Sequence, residues 1–423
     1  MARRFTYYVV AAMLLGILVG TVCHATITEP ATLRELGGYF SIATDAFLRL
    51  IKMIIAPLVF STLCVGIAHM GDFGRLGRVG LRTLAWFLFA SLVSLVLGIV
   101  MVTVLAPGAA LGLPVPPGDA ASGVHAAGLT LKEFVAHLVP RSIAEAMASN
   151  EILQIVVFSV FFGVALAALG ARARQLVGLI EELAQVMLKV TGYVMLAAPV
   201  AVFAAIASVI TTQGLGILAT YGRFIGGFYL SLATLWLALF GLGFLVLGRR
   251  IGSLVPMIRE PVLLAFSTAS SEAAYPKTLE QLGRFGVAER IASFVLPLGY
   301  SFNLDGSMMY CTFATLFIAQ AYGIALSVGQ QVSMLLLLMV TSKGMAGVPR
   351  ASLVVIAATL AHFRIPEAGL VLILAVDQFL DMGRSATNVV GNSIATAVVA
   401  SWEGELGPAA PAASEAPWPR AER

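Results

Sequence analysis

Five polar residues near the end of the chain, Asp377, Asp381, Arg384, Asn388 and Asn392, interrupt an otherwise apolar run at intervals of four, three, four and four. On a helix that spacing keeps them within roughly 80° of one face. One face then carries two carboxylates, a guanidinium and two amides. Each charge at the centre of a bilayer costs about 2.5–3.5 kcal/mol on insertion scales, so such a stripe faces a cavity or binds something. Self-neutralisation, with Arg384 paired to Asp381 or Asp377, is the plainer alternative. It accounts for one pair, but not for a second carboxylate and two amides on the same face.

A second polar cluster, GYSFNLDGSMMY, holds Asn303, Asp305 and Ser307. A carboxylate there needs a cation, a proton, or a role capping a local helix break. Its side-chain oxygens and neighbouring carbonyls suit a hard ion such as Na⁺. A third cluster, AFSTASSEAAYPKT, carries Ser270 and Ser271. Hydroxyls and N–H groups at a half-helix start make a natural carboxylate site, and ordinary N-capping is compatible with that. Glu272 and Lys277 are expected at the same turn or paired with each other. A fourth cluster, TSKGMAGVPRAS, contains Lys343, Val348 and Arg350.

Other polar residues suggest little chemistry. Cys23, Cys64 and Cys311 lie in apolar runs with no CxxC and read as core thiols. The five histidines show no metal-ligand spacing. Lys52 and Lys189 read as snorkelling or interfacial charges.

The elements that must position these clusters follow from composition. Of 423 residues, 59% are hydrophobic and 11% charged, with net charge +4 and mean hydropathy +0.94. A soluble domain is roughly 25% charged, so the chain reads as an all-α integral membrane protein. Six spans are expected at about 6–26, 42–69, 83–106, 150–170, 176–210 and 219–247. Alternate loops are basic: Arg3 and Arg4, then Arg75, Arg78 and Arg82, then Arg172 and Arg174, then Arg249, Arg250 and Arg259. The positive-inside rule puts those loops and the N-terminus in the cytoplasm. The stretch 107–149 reads as a surface loop with a short amphipathic helix (LKEFVAHLV), and 404–423 as a disordered tail. No cleavable signal is expected at 6–26.

After residue 260 apolar runs alternate with the polar clusters. The Ser270 and Val348 clusters share a layout of apolar stretch, Ser/Gly-rich break with proline, and second apolar stretch. Each half is too short to span, which suggests two re-entrant hairpins in weakly similar inverted halves, the sequence pointer to a secondary transporter's site.

In this order, STASSEAAYP, NLDGS, AGVP and DMGRSATNVVGN resemble the motifs of the dicarboxylate/amino acid:cation symporter family, which includes the glutamate transporters. The resemblance runs from the first span to about residue 403. It implies eight transmembrane helices plus two re-entrant hairpins (about 252–283 and 328–363), an elevator-type movement and a homotrimer. It divides the chain into a six-helix region at 1–250, a transport core at 251–403 and the tail. It also implies a bacterial inner-membrane location with both termini cytoplasmic, contacts with lipid and a small-molecule substrate, no nucleic acid, no enzymatic activity and no cofactor beyond the coupling ion. By position, Asp381 matches the residue that binds a substrate α-amino group, and Arg384 the one that binds its side-chain carboxylate. Ser307, Ser385 and Asn388 match polar contacts. Ser270, Ser271 and Val348 match hairpin groups at the α-carboxylate. The cation or proton site would draw on Gly299, Ser301, Asn303, Asp305, Asn388 and Asn392.

Family members that carry C4-dicarboxylates lack the aspartate at the Asp381 position, so its presence favours glutamate or aspartate over succinate or malate. Sodium-coupled members have an acid where this chain has Asn392. Two further oxygen ligands are replaced by Phe87 and Ala90, with Ser91 retained. These departures tilt the expectation for the coupling ion, H⁺ or Na⁺, towards H⁺. An intramembrane aspartyl protease using Asp305 and Asp381 would need a Gly-x-Gly-Asp context that is absent, and Ser307 shows no histidine partner. A dedicated channel would not need a charged, closable pocket between hairpins.

Overall fold

The computed structural model describes residues 2–70, 73–109, 139–215, 221–341, 351–374 and 376–408. Five stretches among them are apolar and long enough to cross a membrane: Tyr7–Thr26, Pro30–Ala68, Leu76–Leu105, Ile152–Met195 and Gly222–Thr268. The described residues are helical, with one isolated antiparallel bridge between Val287 and Leu406.

The first part comprises α1 (Ala2–Thr26), α2 (Pro30–Met70), α3 (Phe73–Leu105), a short α4 (Ile143–Ala148), α5 (Ile152–Leu169), α6 (Arg174–Met195), α7 (Ala198–Gln213) and α8 (Gly222–Leu247). At 41 residues α2 is about 60 Å long, roughly twice the hydrocarbon thickness. It packs against α5, α6 and α7, and α1 packs on α7. The single span expected at 176–210 is two helices. Leu196 and Ala197 form a turn, and Pro199 sits in the first turn of α7, where its missing N–H costs nothing. Most of the loop at 107–149, including LKEFVAHL, lies outside the described residues.

The second part carries the polar clusters. Helices α9 (Ile251–Thr268) and α10 (Tyr275–Phe285) pack against each other around a tight turn. Ala269 ends α9 in the left-handed region (φ 51°), and Pro276 occupies the first turn of α10. Helices α11 (Glu289–Phe302) and α12 (Asp305–Ala321) are separated by non-helical Asn303 and Leu304. Then come α13 (Val328–Thr341), α14 (Ala351–His362), α15 (Leu370–Leu374) and α16 (Asp377–Trp402). Helix α16 packs against α8, α9, α11 and α12 and is buried almost throughout from Met382 to Ala400.

Residues 404–408, expected within the tail, lie against the helices: the N–H of Ala288 donates to Glu405 O and that of Gly407 to Gly286 O.

Candidate functional site

All five stripe residues lie on α16, and two polar clusters form along it. In the first, Asp381 and Arg384 form an ion pair, each side chain 15% exposed. The self-neutralising pair is therefore present, but Arg384 reaches further. Its Nη1 donates to Ser307 Oγ (3.0 Å) and Ser352 Oγ (3.2 Å). One guanidinium thus joins α16 to the start of α12 and the start of α14. Asn388 Nδ2 also donates to Ser307 Oγ (3.2 Å). Asp377 accepts the hydroxyl of Tyr310 at 2.6 Å.

The second cluster sits one turn further along. Asp305 is fully buried; its Oδ1 accepts Ser94 Oγ from α3 (3.2 Å), and its Oδ2 accepts Asn303 Nδ2 (3.1 Å). Asn303 Nδ2 also donates to Asn392 Oδ1 at 3.1 Å. The helices approach closely here. A Cβ at Gly391 would collide with the Asp305 carboxylate, and one at Gly299 with the Asn392 amide.

Asn388 links the clusters. Its Oδ1 accepts the N–H groups of Gly306 (2.9 Å) and Ser307 (3.3 Å), the first donors of a helix that begins at Asp305. Such leading N–H groups have no intrahelical partner, so Asn388 satisfies two of them across the helix interface.

Ser301 Oγ, Asn303 Oδ1, Ser385 Oγ and Asn392 Nδ2 are buried and have no hydrogen-bond partner among the described residues. A buried polar atom left unmatched costs about 1–3 kcal/mol. These atoms therefore offer acceptors and donors for a bound ligand, ion or water.

Ser270 and Ser271 lie in the α9–α10 turn. The Ser270 hydroxyl accepts the N–H of Ala273, the capping role, at 3.3 Å. The turn abuts the stripe helix: Phe266 and Ala269 pack against a cluster of Ile206, Ile210 and Met382, and Ala265 and Ala274 share a buried cluster with Val389. Glu272 opens a short 3-10 turn, whereas Lys277 pairs with Glu280 (3.0 Å) and Glu260 (3.5 Å) at the arms of the unit. Val348, Lys343 and Arg350 lie outside the described residues, although Ser352, just beyond them, contacts Arg384.

Residues 5–402 match the model of the sodium:dicarboxylate symporter family. The chain belongs to that family. Curated relatives that it resembles include a proton/sodium-glutamate symport protein of Bacillus subtilis, 36% identical over 94% of this chain and 92% of the relative. A proton/glutamate-aspartate symporter of Escherichia coli is 40% identical over 94% and 92%. A C4-dicarboxylate transport protein of a Janthinobacterium species is 38% identical over 94% and 90%. Membership of this symporter family, with the apolar helices above, makes the chain an integral membrane transporter and not an enzyme.

Three partners of the symporter's polar clusters are absent from the sequence-derived set: Ser94, Tyr310 and Ser352. Ser94 lies three residues beyond Ser91, on the stretch of α3 already marked for its lost oxygen ligands. Tyr310 falls in the NLDGS cluster, and Ser352 ends the Val348 cluster. Each was within reach of a motif, but its own type carried no distinguishing signal.

Proposed function

We propose that this chain is a secondary active symporter that takes up glutamate or aspartate, driven by an inward cation gradient with H⁺ as the coupling ion. The observation that carries the reading is the Asp381–Arg384 pair beside Ser307, Ser352 and Asn388. An acidic amino acid can enter by exchanging partners. Its side-chain carboxylate takes the Arg384 fork, and its ammonium takes the released Asp381. One ion pair becomes two. A substrate with carboxylates alone would draw Arg384 away and leave the largely buried Asp381 carboxylate without its cation, an unfavourable exchange.

Coupling follows from adjacency. Substrate contacts at Arg384 and Asn388 bear on the start of α12, whose first residue is Asp305. A proton or ion at Asp305 and a substrate at Arg384 therefore act on the same helix terminus.

In this reading α9–α10 and α13–α14 are re-entrant hairpins, with Ser270, Ser271 and Val348 at the substrate carboxylate and Ser385 a further contact. Eight spanning helices form a homotrimer in the bacterial inner membrane, and the core from residue 251 moves as an elevator against a scaffold drawn from 1–250. Gly299, Ser301, Asn303, Asp305, Asn388 and Asn392 form the coupling site. Both termini face the cytoplasm. The shared layout of the two broken segments, apolar stretch, Ser/Gly-rich break and second apolar stretch, supports this architecture.

A C4-dicarboxylate reading has support from the relatives that carry that name, and Asp381 argues against it. Counterflow of labelled aspartate in proteoliposomes is the direct test. Exchange across the membrane is expected, with weak competition by succinate. No exchange of aspartate would end the acidic amino-acid reading, and succinate competing as well as aspartate would shift it to dicarboxylates.

A further inference from the structure

The last described residues do more than follow α16. Glu403, its side chain 1% exposed, is held by two arginines one turn apart on α3. Oε2 accepts Arg78 Nη2 (3.2 Å) and Nε (3.3 Å), and Oε1 accepts Arg82 Nη1 (2.8 Å). Glu405 pairs with Arg290 in the first turn of α11. Between these anchors the backbone runs antiparallel to the α10–α11 turn: Ala288 N–H donates to Glu405 O (3.0 Å), and Gly407 N–H to Gly286 O (2.8 Å). Arg250, at the α8–α9 junction, donates to Phe285 O (2.9 Å), Leu406 O (3.3 Å) and Gly407 O. Gly286 has φ 102°, and a Cβ there would strike Gly407 O, so both conformation and space demand glycine.

We propose that residues 403–407 are a staple that ties the base of the α9–α10 unit, α3 and α11 to the end of α16, with Glu403 and Glu405 acting as positioning residues for transport. The consequence for uptake rests on the symporter reading above. Ser270 and Ser271 sit at the far end of α9, about 27 Å from its base. A small hinge at that base would swing the turn away from Arg384. The staple closes the base with backbone pairing and with charge-assisted contacts of Glu403 to Arg78 and Arg82 and of Glu405 to Arg290. The groups on α16 and in the α9–α10 turn then travel together. Substrate affinity is set at the other end of α16, so loss of the staple lowers the rate of the cycle more than it lowers binding.

The test uses the full chain with Glu403→Gln, Glu405→Gln, the double variant, and a charge exchange that combines Glu405→Arg with Arg290→Glu. Hydrogen exchange at the amides of Ala288 and Gly407 is read in the purified protein, and aspartate uptake and binding are read beside it. In the double variant those amides should exchange at least about tenfold faster. Uptake should fall about tenfold while aspartate affinity stays within about twofold. The charge exchange should restore both rates towards the parent. Unchanged exchange in the double variant would overturn the staple itself. Faster exchange with parental uptake, or equal losses in affinity and rate, would overturn its role in transport. If the parent shows no aspartate counterflow, the acidic amino-acid reading falls, while the exchange data still decide whether the staple exists.

Discussion

Asn388 Oδ1 accepts the backbone N–H of Gly306 at 2.9 Å, so a side chain of the stripe helix caps the broken start of α12. The same amide donates to Ser307 Oγ, which in turn accepts Arg384. An anion that draws Arg384 away therefore perturbs the hydrogen bonding of the helix start that carries Asp305. This short route joins the two polar clusters through a chain of hydrogen bonds.

Arg384→Cys should abolish uptake of glutamate and aspartate while sparing or improving that of neutral amino acids. Removing one partner of a buried, hydrogen-bonded charge pair costs about 2–5 kcal/mol, here borne by the acidic substrate's side-chain carboxylate. Competition against labelled aspartate and labelled serine measures it. Unchanged aspartate affinity would sink the assignment of Arg384.

Asp305→Asn should fold but lose gradient-driven accumulation. The amide keeps an acceptor oxygen for Ser94 or Asn303 but cannot take up a proton or supply a charge to a cation. The check is concentrative uptake, with thermal melting as the folding control. Full accumulation by this variant would make the carboxylate structural.

Uptake should follow an inward H⁺ gradient and change little when choline replaces Na⁺. Na⁺ needs several close oxygens to replace its water, and this chain has Asn392, Phe87 and Ala90 at three positions where sodium-coupled members supply them. Uptake with each gradient imposed separately decides. A steep Na⁺ dependence at fixed pH, with no response to protons, would reverse the prediction. Asn392→Asp should then raise the apparent Na⁺ affinity further.

Gly391→Ala should be destabilising by about 1–3 kcal/mol, the usual cost of an added carbon in a tight interior. The new methyl would push the Asp305 carboxylate away from Asn303 and Ser94. Thermal melting in detergent should show the loss, and accumulation should fall with it. A parental melting point together with parental accumulation would refute the close approach.

The stripe on α16 is legible because polar residues at helical spacing stand out against an apolar background, and hydrophobicity locates spans by length. Partners are harder to read. A serine in an apolar helix ordinarily bonds the carbonyl four residues back. Ser94 also does this, to Ala90 at 2.8 Å, so its second contact with Asp305 leaves no mark in the sequence. Arg78 and Arg82 illustrate the same limit. Their position in a loop-proximal basic group reads as a topology signal, and only three-dimensional proximity brings Glu403, more than three hundred residues away, between them. Composition also misleads at residue 404: Gly, Glu, Leu, Gly and Pro read as the start of a tail, yet Glu405 O and Gly407 N–H pair with the α10–α11 turn. The break after Leu196 is marked by Pro199, but an uninterrupted hydrophobic run hides it.

Asn392 and an aspartate have nearly the same shape, and their codons differ by a single base. The side chain sits where its oxygen already meets Asn303 and where only a glycine at 299 leaves it space. On this scaffold one point mutation therefore exchanges an amide for a carboxylate next to Asp305, two acids sharing the Asn303 amide, so the new group favours a proton or a cation between them.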